Sequence, residues 1–151
     1  MKRLHVHVGV DNIEEGIKFY NTLFGVEPVK TKSDYAKWLL DDPRVNFAIS
    51  TRTEKKGVDH LGIQVEEDGE LTELRQRLEG AAVSLFDEGE TVCCYAKSDK
   101  SWVQDPSGTP WEAYKTMEDV QVFSEQQDRQ EACCTPDMPV MMGMPTKAID
   151  N

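Results

Sequence analysis

The sequence is short of basic residues, of histidine and of long apolar runs. Of its 151 residues, 17 are Lys or Arg and 28 are Asp or Glu, which gives a formal net charge of −11. This excess of negative charge disfavours binding to nucleic acid or to an anionic membrane surface. No apolar run reaches the roughly 18 residues of a membrane-spanning helix, and the strand pattern at the N-terminus gives no sign of a signal peptide. We therefore expect a cytoplasmic protein without membrane or nucleic-acid partners.

Only three histidines and four cysteines are present. The histidines are His5, His7 and His60, and the cysteines form two adjacent pairs, Cys93-Cys94 and Cys133-Cys134. A cytoplasmic protein keeps its thiols reduced, and the ring closed by two adjacent cysteines is strained. We therefore expect these pairs to serve as ligands rather than as a disulfide framework.

The C-terminal stretch differs in composition from the rest of the chain. Residues 116–151 contain seven acidic and two basic residues, five of the six methionines and a single aromatic residue. Because apolar periodicity is not sustained there, the sequence predicts a folded part over residues 1–116 and a flexible acidic tail over 117–151. For Cys133 and Cys134, which lie in this tail, the sequence leaves open both a metal-capturing role and no role at all.

The folded part contains an internal repeat with an offset of 55 residues. The stretches His5–Val10 and His60–Val65 both alternate between apolar and other residues, and each precedes a helical pattern that ends at Gly25 or Gly80. The same elements then follow in the same order in both copies. Each has a short strand, at Val26–Val29 or Val83–Phe86, then a strand that contains Trp38 or Trp102, an Asp-Pro turn and a last strand. The sequence thus predicts an α+β fold of two tandem βαβββ modules, residues 1–56 and 57–116.

His5 and His60 occupy the same position in the two copies, at the start of the first strand. If the copies pack around a local two-fold axis, the two imidazoles meet in one cavity. Glu112, in the last strand of the second copy, is the candidate for a third ligand, because a carboxylate on an apolar strand is costly to bury unless it is paired or metal-bound. Exposure of Glu112 to solvent is the alternative. Two histidines and one carboxylate are typical of non-haem Fe(II) sites.

Neighbouring residues add two observations. The strand of the first copy that corresponds to the Glu112 strand, Val45–Ser50, contains no acid, so a symmetric site with four ligands is not expected. His7 and Tyr114 share a strand face with His5 and Glu112, respectively. Each is a candidate for a supporting role beside the metal or for ordinary packing.

The adjacent thiols Cys93 and Cys94 lie before the Trp102 strand. Thiolates are soft ligands that suit thiophilic ions such as trivalent arsenic, cadmium or zinc, and the nearby Lys97 and Lys100 favour the thiolate form. Burial of one cysteine as a small apolar residue is the alternative interpretation.

The two βαβββ units, His5, His60 and the stretch Asp105–Glu112 resemble the vicinal oxygen chelate superfamily, which includes glyoxalases and extradiol dioxygenases. The stretches Asp59–Gly62, Thr91–Ala96 and Trp111–Tyr114 more particularly resemble its arsenic- and cadmium-induced branch, whose arsenic members are Fe(II)-dependent carbon–arsenic lyases. The resemblance extends over nearly all of residues 1–116. The cysteine pair distinguishes this branch from the rest of the superfamily.

This resemblance implies that His5, His60 and Glu112 hold Fe(II) and that Cys93 and Cys94 hold a trivalent organoarsenical. The implied reaction uses O₂ as co-substrate and cleaves the carbon–arsenic bond to release arsenite. Tyr95 and Lys100 would belong to the loop over the site, without assigned roles. Some cadmium-induced relatives have Gln where this chain has His5.

Three other functions remain open. A cadmium- or arsenite-binding resistance protein would use the thiols without turnover, but it has no need for the three iron ligands. A glyoxalase-type isomerase needs a fourth protein ligand, and an extradiol dioxygenase gives no reason for the Cys93-Cys94 pair. Both a monomer and a homodimer are compatible with the sequence, because a tandem pair of modules can close its own site.

Overall fold

The computed structural model describes residues 1–119, 121 and 135–136. Cys133, Cys134 and most of the predicted tail lie outside the described residues. The first half of the chain contains β1 (Arg3–Gly9), α1 (Ile13–Phe24), β2 (Lys30–Lys32), β3 (Tyr35–Asp41) and β4 (Arg44–Ser50). The second half contains β5 (Gly57–Val65), α2 (Asp68–Gly80), β6 (Phe86–Cys93), β7 (Ala96–Gln104) and β8 (Pro110–Asp119). Both halves therefore have the predicted order βαβββ, and the α+β fold class is confirmed.

The eight strands form one mixed sheet in the order β2-β3-β4-β1-β5-β8-β7-β6. The first strands of the two halves, β1 and β5, lie antiparallel at the centre, and each pairs in parallel with the last strand of its own half. The sheet curls until its two ends meet. Lys30 Nζ of β2, at one end, donates to the carbonyl oxygen of Tyr95, in the turn after β6 at the other end, over 2.8 Å. The result is a half-barrel with an enclosed concave face.

Strand alternation separates an apolar face from a polar one. The face that carries α1 buries Val8, Trp38, Phe47 and Ile49 against Ile13 and the rest of that helix, and α2 covers Val65 and Ala113 through Leu71. Residues of opposite parity point into the concave face, where they include the buried polar side chains His5, His7, Asn46, Ser50, His60, Lys100 and Glu112. The alternation of His and Val along β1 thus directs the valines to the apolar core on one face of the sheet and the histidines to the polar cavity on the other face.

Several predicted element positions are wrong. Val26–Val29 is not a strand: Pro28 interrupts it, Val26 and Val29 are exposed, and β2 begins at Lys30. The strand predicted at Val83–Phe86 is also misplaced. Strand β6 begins at Phe86 and continues to Cys93, because it pairs with β7 along its whole length. Strand β8 also continues past the predicted boundary at residue 116 to Asp119.

The two tryptophan strands do not correspond residue by residue. Trp38 pairs with Phe47 and packs in the core beneath α1, whereas Trp102 pairs with Glu112 and lines the concave cavity. A shift of one residue along a strand moves a side chain to the other face of the sheet. The repeat therefore fixes the order of the elements but not the face of every matching residue.

The two helices end differently. Gly25 follows α1 in the left-handed conformation at φ 71° and donates its N–H to the Asn21 carbonyl, as predicted for a helix stop. Gly80, in contrast, is the last residue of α2, and the positive φ after this helix belongs to Ala82. Among the described residues, no helix is both long and apolar enough to cross a bilayer.

Replacing Gly25 by Ala should lower the free energy of unfolding by about 1 kcal/mol, because a Cβ is disfavoured at φ 71°. The matched control is Gly69→Ala in the first turn of α2, where φ is ordinary and the added Cβ meets no atom within 4 Å. This control should be neutral or slightly stabilising. Urea denaturation of both variants measures the difference, and equal effects at the two positions would contradict the assignment of Gly25.

Candidate metal centre and thiol pair

Three histidines meet at the centre of the concave face. In the pairing of β1 with β5, His7 lies opposite His60 and His5 lies opposite Gly62. One ligand atom from each of His5, His7 and His60 lies within 4.8 Å of the other two, and all three side chains are buried. The predicted meeting of His5 and His60 across the two modules is therefore found in the structure, which also brings His7 into the cluster.

Glu112 completes the group from strand β8. Its backbone pairs with Gly62, and its Oε1 lies 3.2 Å from His5 Nε2 and 3.6 Å from His60 Nε2. The alternative of a solvent-exposed Glu112 is wrong, because the residue is only 4% exposed. Two ligand atoms that are each about 2.1 Å from a metal ion lie about 3 Å apart in adjacent positions, so this spacing fits a divalent cation.

Hydrogen bonds on the far side of each ring orient His5 and His60. His5 Nδ1 lies 3.1 Å from the carbonyl oxygen of Asn46, and His60 Nδ1 lies 2.7 Å from Asp59 Oδ2. Because a carbonyl or carboxylate oxygen accepts, each Nδ1 carries the proton and each Nε2 presents a lone pair towards Glu112. This is the tautomer that a metal-binding histidine needs.

Burial and neighbouring charges set the protonation states of the group. Burial lowers the pKa of His5 to about 4 and lowers the pKa of His7 well below its usual value. For Glu112, burial acts to raise the pKa, but the opposing causes, of which the Lys100 charge is the largest, hold the pKa well below the usual range. The site thus combines neutral imidazole with ionised carboxylate, the forms that bind metal ions.

Lys100 contacts the carboxylate on the side away from the histidines. Its Nζ lies 3.2 Å from Glu112 Oε2, and both side chains are almost fully buried. Burial acts to lower the pKa of Lys100, but the Glu112 charge raises it above its usual value, so the ammonium stays charged. Since Lys100 binds one carboxylate oxygen, only Oε1 of Glu112 is directed at the histidines.

The position for a fourth acidic ligand is filled by Ala48. Glu112 pairs with Gly62 of β5, and the corresponding pair in the other half is Ala48 with His7 of β1. In the second half the large residue of the pair is Glu112, on β8, whereas in the first half it is His7, on the central strand β1. His7 Nε2 lies 3.0 Å from the hydroxyl oxygen of Ser50, which orients its ring.

The Cys93-Cys94 pair lies at the tip of the hairpin between β6 and β7 and lines the same cavity as the histidines and Glu112. Cys93 pairs with Ala96, so Cys94 and Tyr95 form a two-residue turn, and both have positive φ, at 54° and 60°. Such a turn normally contains Asn or Gly, and other residues adopt it at a cost in free energy. The fold therefore holds Cys94 and Tyr95 in a backbone conformation that these residue types disfavour.

The two sulphur atoms are close but not bonded to each other. Cys93 Sγ and Cys94 Sγ lie 3.3 Å apart, well beyond the roughly 2.05 Å of a disulfide, so the prediction that adjacent cysteines do not pair is confirmed. Cys93 is nevertheless disulfide-bonded in the structure. The expectation of fully reduced thiols is therefore wrong for this residue, because adjacency prevents only the bond between neighbours.

Tyr95 fixes the hairpin to the opposite end of the sheet. Its hydroxyl donates to Asp34, which also accepts from Arg52, and its ring lies 5.6 Å from the ring of Tyr35. Burial and the Asp34 carboxylate raise the pKa of Tyr95 to about 12, so the hydroxyl keeps its proton. The loop position predicted for Tyr95 is confirmed, whereas Lys100 lies within β7 rather than in a loop.

Tyr114 belongs to a hydrogen-bonded group next to His5. Its hydroxyl oxygen accepts from Asn46 Nδ2 over 2.8 Å, and its ring lies 5.3 Å from the His5 ring. Burial, together with the Glu112 charge, raises the pKa of Tyr114 well above its usual value. Tyr114 is thus a neutral side chain in contact with a proposed ligand.

The sequence reasoning missed Asn46, Asp59 and Trp102. Asn46 supports His5 through its backbone, Asp59 contacts His60, and the Trp102 ring lies 5.2 Å from the His60 ring. Asp59 had a visible signal, because it directly precedes His60. Asn46 is recognisable only once the parallel pairing that sets it beside His5 is known.

Gly62 should be essential for the closeness of Glu112 to His5. A Cβ at this position would lie 2.6 Å from Glu112 Cγ, 2.7 Å from the Glu112 carbonyl oxygen and 3.4 Å from His5 Cβ. Gly62→Ala should therefore weaken metal binding about tenfold or more and destabilise the fold by about 2 kcal/mol. Titration with Mn(II), in which electron paramagnetic resonance counts the free ion, measures the affinity. Unchanged affinity, as expected for the Gly69→Ala control, would contradict this role.

The metal-free protein should lose stability as the pH falls from 6.5 towards 4. His5 has a native pKa of about 4, whereas an unfolded histidine titrates near 6.5, so in this range the unfolded chain binds a proton that the native state does not. The expected loss from His5 is about 2 kcal/mol at pH 5. Urea midpoints from pH 7.5 to 5, in the presence of a chelator, should fall more steeply for the wild type than for His5→Gln. Equal slopes would refute the prediction.

The chain is similar to known proteins over most of its length. A family model described as the Glyoxalase/Bleomycin resistance protein/Dioxygenase superfamily matches residues 2–113. The chain is 45% identical over 137 residues to a trivalent organoarsenical cleaving enzyme of Bacillus sp. (strain MD1), covering 89% of this chain and 83% of that protein. It is 34% identical over 124 residues to the cadmium-induced protein CadI of Mycobacterium bovis, covering 82% of each.

Solved structures support the fold. The Mn(II)-bound glyoxalase from Novosphingobium aromaticivorans superposes with a TM-score of 0.56 at 17% identity, over 81% of this chain and 43% of that one. This structure shares the fold of the chain, and the family model matches residues 2–113. The chain therefore belongs to the glyoxalase/bleomycin resistance protein/dioxygenase superfamily.

Proposed function

We propose that this protein is an Fe(II)-dependent carbon–arsenic lyase that cleaves trivalent organoarsenicals, such as methylarsonous acid, to arsenite with O₂ as co-substrate. His5, His60 and Glu112 would hold the metal ion, and Cys93 and Cys94 would hold the arsenic. The relative from Bacillus sp. (strain MD1), named for cleavage of trivalent organoarsenicals, supports this assignment at 45% identity.

The observation that carries the proposal is a single cavity lined by both kinds of ligand. The candidate metal ligands His5, His60 and Glu112 and the thiols Cys93 and Cys94 all line it. The cavity has a volume of about 30 Å³, room for a small group. A substrate held by the two sulphurs would therefore have its carbon substituent directed at the metal ligands, which favours a small substituent on arsenic.

The metal ligands suit iron and leave coordination positions open. His5, His60 and Glu112 would supply three ligands, and Ala48 stands where a symmetric site would have its second carboxylate. When bound, Fe(II) supplies the one-electron chemistry that O₂ activation requires. The protein's own contribution is to keep His5 neutral and Glu112 ionised, to orient His60 and to shield the cavity from bulk water.

The thiols would bind and orient the substrate. Arsenic(III) is thiophilic, and two adjacent sulphurs fix its position relative to the metal, which converts an encounter into an oriented reaction. The ammonium groups of Lys37 and Lys100 line the same cavity and favour the thiolate form. Because Cys93 is disulfide-bonded in the structure, binding by both sulphurs requires prior reduction, which a reducing cytoplasm would supply.

A heavy-metal binding protein without turnover is the second candidate. The relationship to a cadmium-induced protein favours it, as does the affinity of paired thiolates for soft ions. The buried group of His5, His60 and Glu112 speaks against it, because sequestration by thiols leaves these residues without a role. An extradiol dioxygenase would use the three metal ligands but not Cys93 and Cys94.

The reduced, Fe(II)-loaded protein should release arsenite from methylarsonous acid in the presence of O₂ and not under anaerobic conditions. Replacing both Cys93 and Cys94 by Ser should lower the release rate at least about a hundredfold while leaving Mn(II) affinity unchanged, since only positioning of the substrate is lost. Glu112→Gln should lower both metal affinity and release while retaining arsenical binding. Product analysis by chromatography with arsenic detection measures the rates.

The two variants separate the candidate functions. Absence of aerobic arsenite release by the wild type, with metal and arsenical both bound, would contradict the lyase and favour the binding protein. Cleavage of a catechol that survives the double Cys→Ser replacement would favour the extradiol dioxygenase. Because all proposed ligands come from one chain, the site is compatible with both a monomer and a homodimer. Sedimentation of the same purified protein distinguishes the two.

A further inference from the structure

A β-bulge re-aims the residue before His60. In the pairing of β1 with β5, His7 lies opposite His60 and Val8 lies opposite Val58, so Asp59 has no counterpart on β1. Adjacent strand residues normally point to opposite faces. The extra residue instead allows the Asp59 carboxylate to reach Nδ1 of its own neighbour, with a distance of 2.7 Å from Oδ2. Bulges of this kind commonly adjust side chains at active sites.

A residue from the distant C-terminal region meets this pair. The Thr135 hydroxyl donates to Asp59 Oδ2 over 3.0 Å, and its oxygen lies 3.1 Å from His60 Nδ1. Thr135 is 76 residues from Asp59 in the sequence and far beyond the end of β8. Thr135 is half-buried, and the next residue, Pro136, is buried.

We propose that Thr135 is a positioning residue for the metal centre, which acts on His60 through the Asp59 carboxylate. This inference rests on the proposed metal centre and extends it to a residue outside the two modules. Because the Thr135 hydroxyl gives its proton to Asp59, its oxygen accepts from His60 Nδ1. The three groups form a closed set of hydrogen bonds that fixes the orientation of both the carboxylate and the imidazole.

This arrangement has a direct consequence for metal binding. With its proton held at Nδ1 between two acceptors, His60 presents Nε2 as a lone-pair donor in one orientation towards Glu112. Loss of a residue that holds a metal-binding histidine in this way typically weakens metal binding by about tenfold to a hundredfold. Thr135 restricts rotation of the Asp59 side chain, so its loss should weaken metal binding without removing any ligand.

The test compares Thr135→Val, which removes the hydroxyl at almost constant shape, with Thr135→Ser, which retains it. The full-length reduced protein is titrated with Mn(II), and electron paramagnetic resonance counts the free ion. Mn(II) prefers nitrogen and oxygen ligands, so the cysteines do not obscure the result. Thr135→Val should raise the dissociation constant about tenfold, and Thr135→Ser should stay within about twofold of the wild type. The control Thr72→Val, on the exposed face of α2, removes a similar hydroxyl that donates to the Asp68 carbonyl and should change nothing.

A double-mutant cycle tests whether Thr135 acts through Asp59. In an Asp59→Asn background, Thr135→Val should change the Mn(II) dissociation constant by less than about twofold, because the group that it orients has been altered. Full tenfold weakening in that background would overturn the proposal, as would wild-type affinity of Thr135→Val or equal weakening by Thr135→Ser. If the wild type itself bound no Mn(II), the proposed metal centre would fail and this inference with it.

Discussion

The antiparallel pairing of β1 with β5 is the interaction on which the rest of the structure depends. It joins the two βαβββ halves around a local two-fold axis and sets His7 opposite His60 and His5 opposite Gly62. All other strands are added outwards from this pair, so its register decides which residues face the cavity. A slip of one residue would turn the histidines into the apolar core and the valines into the cavity. The metal-binding geometry is therefore a direct product of strand pairing.

Departure from symmetry gives the proposed metal centre its carboxylate. Perfect repetition would give equivalent residues in both halves, but only the second half provides a carboxylate, and Gly62 leaves the space that it occupies. The buried charge of Glu112 is balanced by Lys100 on one oxygen, and the other oxygen faces His5 and His60. A buried carboxylate is unfavourable unless it is paired with a charge or binds a cation. The same asymmetry leaves the first half with Ala48 at the position that corresponds to Glu112.

Local sequence patterns predicted much of this structure. Periodicity located both helices and the central strands, and the repeat of His5 at His60 correctly indicated that the two residues meet. Features that depend on pairing between distant strands were not predictable in this way. The shift that turns Trp102 into the cavity, the bulge at Asp59 and the support of His5 by Asn46 all arise from register rather than from local propensity. The contact of Thr135 with Asp59 lay in a stretch whose composition predicted only a flexible tail.

X-ray absorption at the arsenic edge tests the central claim most directly. In the anaerobic complex of the reduced, Fe(II)-loaded protein with methylarsonous acid, we expect arsenic with two sulphur neighbours and one carbon neighbour. After O₂ is admitted, the carbon neighbour should disappear, because the carbon–arsenic bond is broken. Arsenic that keeps its carbon neighbour after exposure to O₂, or that binds without sulphur, would contradict the assignment of the thiols and the metal centre to one reaction.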